Sequence, residues 1–164
     1  MALPNKVLPG FSAALYCQSG ATPTVLTTAQ LSLVASVSPI AISGNQLPVE
    51  AVPAFGQDDA VANYSVAGSR QSDKIPTQAA PTSMTITAAW NPADTNLLLM
   101  RADAANGTID RTFVISATDG TNIVYYAFNG RVGQFQIDAQ PGAEAKCVFT
   151  VHPRGNQYGW SNNA

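Results

Sequence analysis

Apolar and polar residues alternate with a period of two along most of the second half of the chain. Met84, Ile86, Ala88 and Trp90 alternate with Ser83, Thr85, Thr87 and Ala89, which reads as a half-buried strand over residues 83–90. Phe135 and Ile137 stand against Gln134, Gln136 and Asp138 in a strand over 131–139. Cys147, Phe149 and Val151 stand against Lys146, Val148 and Thr150 in a strand over 144–152. Two more apolar runs, 108–117 and 122–128, flank the turn signal Thr118-Asp119-Gly120-Thr121. Asn129-Gly130 then offers the strongest short hairpin signal in the chain. Upstream, 11–18 and 29–38 read as strands. A weaker one at 46–52 would need Pro48 on a sheet edge.

One segment changes period. Asn91-Pro92-Ala93-Asp94 supplies an N-cap Asn, a Pro at the first helical position and an acid in the first turn; Asn106-Gly107 supplies a left-handed stop. The expectation is a single helix over about 92–105, with Leu98, Ala102 and Ala105 as its buried stripe. The first sixty residues carry six prolines, at 4, 9, 23, 39, 48 and 53, which excludes long helices there. Residues 56–82 are polar and bear Gly and Ser, too poor in large apolar residues to build a core. They read as a surface loop or as an extended hairpin that folds against something else.

Composition sharpens this. The 164 residues suit one domain. Only 11% are charged, while Ser, Thr, Asn and Gln together number 47, so the polar surface is mostly neutral. A net charge of −2 with eight Lys and Arg excludes sequence-independent nucleic-acid binding, which needs clustered cations. A near-neutral surface also does little to oppose self-association. Cys17 and Cys147 fit no CxxC spacing and read as two small core thiols. The start shows no basic region followed by an apolar one, and no apolar run reaches 18 residues. The expectation is a soluble protein made in a cytoplasm.

Catalytic chemistry has little to stand on. His152 is the single histidine, at a strand end beside Pro153, and no Gly-x-Ser-x-Gly elbow is present. One His and two separated Cys do not make a zinc site. Asp58-Asp59 is the one carboxylate doublet, and neighbours on a strand point to opposite faces. No glycine pattern cradles a phosphate. The reading is not an enzyme, with no cofactor and no metal.

The order of signals from Ser83 to Gly155 is specific. A strand ends in Trp90-Asn91-Pro92, a short helix follows, and then come Thr112-Phe113-Val114-Ile115 and Asp119-Gly120. Tyr125-Tyr126-Ala127-Phe128-Asn129-Gly130, a Gln-rich strand, and Cys147-Val148-Phe149-Thr150-Val151 before His152-Pro153-Arg154-Gly155 complete it. This resembles the tail tube (major tail) proteins of long non-contractile, lambda-like bacteriophage tails. The resemblance implies an all-β fold, a β-sandwich or barrel-like domain with one flanking helix and a long hairpin or loop near 56–82. It implies a single domain with an arm at 1–10 and a tail at 153–164.

It further implies assembly of identical subunits, as hexameric rings stacked into a hollow tube of the virion, assembled in the host cytoplasm. The tube would enclose the tape measure protein and later conduct DNA in transit. Tail terminator and tail-tip or baseplate proteins would cap it, with no membrane involved. On this resemblance Asn63, Tyr64, Arg70, Asp73 and Lys74 are candidates for ring-to-ring contact, and Gln134, Gln136 and Asp138 for the lumen.

Two other readings stay open. The inner tube of a contractile tail or of a type VI-like secretion machine shares the architecture. A monomeric β-sandwich binding module would use Tyr125, Tyr126 or Trp160 as stacking platforms for a sugar.

Overall fold

The structure is a computed structural model that describes residues 12–20, 45–64, 73–118 and 123–163. Its strands are β1 (Ser12–Cys17), β2 (Gln46–Leu47), β3 (Gln57–Tyr64), β4 (Asp73–Pro81), β5 (Met84–Ala89), β6 (Asp110–Thr118), β7 (Ile123–Asp138) and β8 (Lys146–Asn163). A helix, α1 (Thr95–Asn106), lies between β5 and β6. Six strands form one antiparallel sheet in the order β2-β1-β6-β7-β8-β5, and β3 and β4 form a separate two-stranded hairpin. The sheet curls into a half-barrel, and α1 packs chiefly across β7. Among the described residues this is the all-β architecture with one flanking helix that the sequence predicts. The predicted strand at 29–38 lies outside the described residues.

Alternation builds the core. Leu15 and Cys17 of β1, Phe113 and Ile115 of β6, Tyr126, Phe128 and Val132 of β7, Cys147, Phe149 and Val151 of β8, and Met84, Ile86 and Ala88 of β5 share one buried face. Phe113 and Phe128 are register partners with stacked rings 5.5 Å apart, and Phe135 and Phe149 repeat the arrangement at 5.8 Å. Both cysteines are free and buried, as read from the sequence.

Val132 and Phe135 both face this core, although three positions apart on a regular strand would put them on opposite faces. Gln134 reconciles them. Gly133 pairs with Thr150 and Phe135 with Phe149, so Gln134 is an extra residue, and its φ of 36° marks the bulge.

The curl of the sheet is far enough for one short segment to touch both its edges. Leu47 of β2 pairs with Leu15 of β1, while two residues later Val49 bridges Ala88 of β5. Ala89 N–H donates to the Pro48 carbonyl (3.0 Å) and Glu50 N–H to the Thr87 carbonyl (2.9 Å). The strand predicted over 46–52 is thus two residues of β2 followed by a bridge to the opposite edge. Pro48, lacking an N–H, sits between the two pairings.

Three further expectations are corrected. Asn129-Gly130 makes no hairpin: β7 runs through it without a turn. There Asn129 Oδ1 accepts from Thr112 Oγ1 (2.8 Å), and Gly130 lies where a Cβ would come within 3.0 Å of Val151 Cγ1. Pairing on both sides, with β6 and β8, holds the strand extended.

The helix begins later than predicted. Asp94 is its N-cap, accepting from the N–H groups of Asn96 (2.8 Å) and Leu97 (3.2 Å), whereas Asn91 holds a preceding turn through Ala93 N–H. Gly107 ends it at φ 67°, as its Asn-Gly signal indicates. The buried stripe is Leu97, Met100 and Asp103; Leu98 is 41% exposed, and Ala102 and Ala105 are exposed too. Finally, β8 continues through Pro153 to Asn163, where the sequence suggests a polar tail.

Candidate assembly interface

The face of the sheet opposite the core carries its charge in register. Asp110 of β6 pairs with Arg131 of β7, and Arg131 with His152 of β8. Arg131 Nε donates to Asp110 Oδ1 (2.8 Å) and its Nη2 to the Thr108 carbonyl (3.0 Å). Arg154, two residues beyond His152, donates from Nη1 to both oxygens of the same carboxylate, at 3.0 and 3.3 Å. His152 Nδ1 lies 2.9 Å from Ser83 Oγ, next to β5. The ring is accommodated because residue 133 is glycine: a Cβ there would stand 2.8 Å from His152 Nε2. Two guanidinium groups thus share one carboxylate, leaving this stretch of the face, midway along β7, positive.

The end of the β7–β8 ladder where Asp138 pairs with Lys146 is acidic. Asp138 and Glu144 are exposed. Lys146, the register partner of Asp138, is bound to Glu50 at 2.6 Å. The hydrogen bond that Lys146 donates to Glu50, with the Glu50 and Glu144 charges nearby, pushes the Lys146 ammonium up from its ordinary pKa. Between these two stretches the face is neutral, with Gln134 and Gln136 exposed and Thr150 half-buried.

Gln134, Gln136 and Asp138 are therefore all exposed near one end of β7. Asn63 and Tyr64 close β3, and Asp73 and Lys74 open β4. The hairpin register pairs Asn63 with Lys74 and Tyr64 with Asp73, bringing these four together; Arg70 lies outside the described residues. Two strands alone are marginal in water, and Val61 on β3 is 52% exposed. Asp58-Asp59 lies within β3.

A second surface feature is the sheet edge. β5 pairs with β8 only from Lys146 to Val151. Among the described residues, no strand pairs with β8 from His152 to Asn163 on the side away from β7.

Catalytic arrangements gain nothing from the geometry. Among the described residues no group of three His, Cys, Asp or Glu side chains is placed to hold a metal ion. Tyr125 and Tyr126 are both buried, so neither offers a ring to a sugar. No described helix is long and apolar enough to cross a membrane.

The charged row Asp110, Arg131, His152 and Arg154 was not legible from motifs, because its members lie on three strands and only register assembles them. The available signal was scarcity: with eight Lys and Arg in the chain, an Arg within a strand stands out.

No protein family and no curated protein matches the sequence. Solved structures do match in fold. A chain of the anti-feeding prophage baseplate, solved with six-fold symmetry, aligns with a TM-score of 0.57 at 11% identity over 100% of this chain and 98% of that one. A chain of the cap that terminates the anti-feeding prophage tube aligns at 0.55 and 13%, over 100% and 95%. The SPP1 tail tube protein aligns at 0.53 and 10%, over 93% of this chain and 76% of that one. The fold is that of phage tail-tube and baseplate-like assemblies.

Proposed function

We propose that this chain is a non-enzymatic structural subunit that polymerises as stacked hexameric rings into the hollow tail tube of a phage virion. The tube encloses a tape measure protein, passes DNA during ejection, and is closed by terminator and tail-tip or baseplate proteins. The observation that carries this reading is the edge of β8 from His152 to Asn163, unpaired among the described residues, in a fold shared with tube and baseplate chains. An unpaired edge of that length templates pairing with another chain, and closure of strands around a ring removes it.

The hairpin β3–β4, bearing Asn63, Tyr64, Asp73 and Lys74, supplies contact to the next ring, and Arg70, between its two strands in sequence, takes part. Gln134, Gln136 and Asp138 line the lumen, where a neutral or acidic wall does not hold phosphates. Weak charge repulsion between subunits favours the assembly.

Negative-stain electron microscopy of the concentrated protein, with light scattering on the same sample, tests this. Hollow tubes or six-fold rings are expected. A monomer that also fails to add to purified tail-tip complexes overturns it. Removing residues 69–74 is expected to leave a folded monomer that forms no tubes.

A second reading has a specific observation in its favour. The chain matches 98% and 95% of the baseplate and cap chains but 76% of the tail tube chain. A subunit at an end of the tube, or in the inner tube of a contractile or type VI-like machine, accounts for that fit. Single rings that never lengthen would favour it.

A further inference from the structure

We propose that a groove between α1 and the last residues of β7 seats strand β3 of a second copy, Val61 entering the groove and Asp58-Asp59 meeting Arg101. The contact rests on the assembly reading above and gives the hairpin its receptor.

The rotation of α1 builds the groove. Leu97, Met100 and Asp103 turn toward the sheet, which leaves Leu98, Arg101, Ala102 and Ala105 exposed on one face of the helix, three and four positions apart. Beside that face lies a cavity of about 240 Å3 lined by Arg101, Ala104 and Ala105 of α1 and by Phe135 of β7. Its floor is firm, because the Phe135 ring stacks on Phe149 and meets Trp90 edge-on at 5.7 Å. Ile137, exposed two residues further along the same strand face, extends the apolar floor. The volume falls below the roughly 300–1,000 Å3 of small-molecule sites and suits an inserted side chain. Among the described residues Arg101 forms no hydrogen bond or ion pair, so its guanidinium is free to bind.

The hairpin β3–β4 carries the complement. It stands apart from the six-stranded sheet, and two strands alone need a surface to pack on. Val61 is the most exposed large apolar residue among those described, and Asp58 and Asp59 stand three and two positions before it on β3. An apolar residue close to two carboxylates fits an apolar groove walled by a guanidinium, through burial and a charge-assisted fork. Within one copy the hairpin meets the sheet at β8, whereas α1 lies across β7, so the strand that enters the groove comes from a second copy. Groove and hairpin are different surfaces. Their contact is heterologous and propagates from copy to copy. Each contact is small, and repetition around a ring makes it cumulative.

Introduced cysteines test the contact directly, since the native Cys17 and Cys147 are buried. A chain carrying Val61→Cys and Ala105→Cys, assembled and then oxidised with diamide, is expected to run as a ladder of covalent multimers on a non-reducing gel. Either single variant is expected to stop at the dimer, because one thiol joins only two chains. Arg101→Glu is expected to raise the concentration needed for tubes by at least about tenfold while keeping the wild-type circular dichroism. Adding Asp58→Lys and Asp59→Lys to that chain is expected to restore tubes.

Tubes of the double-cysteine variant that oxidise without a ladder, or with a disulfide closed inside one chain, would overturn the contact while leaving the tube function standing. Tubes from Arg101→Glu at the wild-type concentration would do the same. Failure of the triple variant to recover would overturn it too, by showing that charge complementarity is not what was lost. Wild-type protein that never assembles would instead remove the assembly reading and the contact together.

Discussion

Arg111 of β6 grips Asp103 of α1 with a two-point fork inside the core. Nε and Nη2 donate to the two carboxylate oxygens, and Nη1 reaches the Ser19 carbonyl just after β1. Both residues are at most 3% exposed. The hydrogen bond that Arg111 donates to Asp103 pushes the guanidinium up from its ordinary pKa, against the opposing effect of burial. This pair sets the rotation of α1: with Asp103 turned toward the sheet, Leu97 and Met100 face it as well, and Leu98 faces solvent.

Removing one partner strands the other charge. Asp103→Ala is expected to cost about 3–5 kcal/mol, because Arg111 keeps only a carbonyl partner. Replacing both residues, as Asp103→Leu with Arg111→Met, is expected to cost much less. Urea midpoints of the two variants decide it, and similar losses in both would mean that packing rather than charge is at stake.

Two glycines on β7 differ in what lies above them. At Gly130 a Cβ meets Val151 Cγ1 at 3.0 Å and the His152 carbonyl at 3.2 Å, neither of which can swing away. At Gly133 it meets only the His152 ring, the far end of an exposed side chain. Gly130→Ala should therefore destabilise by about 1–3 kcal/mol. Gly133→Ala should cost well under that and displace His152 from Ser83, visible as a shift of the His152 ring signals in NMR.

The bulge at Gln134 yields an unusual expectation. Because Gly133 and Phe135 already pair with successive residues of β8, deleting Gln134 leaves Phe135 on the core face. A deletion within a strand that preserves the fold is the outcome expected, read by circular dichroism and a cooperative urea transition. Gln134→Gly should stabilise by about 1 kcal/mol, since φ 36° strains any residue with a Cβ. An unfolded deletion variant would place the bulge among the features the fold requires.

Alkaline pH should loosen the core. Burial pushes the Cys17 thiol from 9.0 to about 12 and the Tyr126 hydroxyl from 10.0 to about 12. Arg111 opposes the shift at Cys17 and Asp103 adds to it. Unfolding lets both groups ionise at their ordinary values, so the unfolded state loses protons first. Stability is then complete below about pH 9 and falls as pH rises from about 9 to about 12. Cys17→Ala should flatten the lower part of that decline in a pH series of denaturant midpoints. An unchanged slope would exclude the thiol as its source.

Much of this architecture was legible locally. The alternation in Met84–Ala89, and that of Cys147, Phe149 and Val151, named strands and buried faces together, because a half-buried strand needs a period of two. Gly107 stopped the helix by its own conformational freedom. Asn129-Gly130 misled because a turn preference of two residues is weaker than pairing on both sides of β7. The helix stripe misled because Asn91-Pro92-Ala93-Asp94 offers two caps, and the one that wins depends on where Asp103 must reach.

The sequence alone determined where chain segments extend, which residues are apolar enough to be buried, and how sparse the charge is. Those properties follow from periodicity, capping and composition, each set by neighbours in the chain. Only the tertiary structure decided which way α1 turns, that β7 is one strand, that Leu47–Val49 joins both sheet edges, and that Asp110, Arg131, His152 and Arg154 share a face. The reason is that each is an agreement between residues far apart in sequence, and its free energy exists only once strands stand in register.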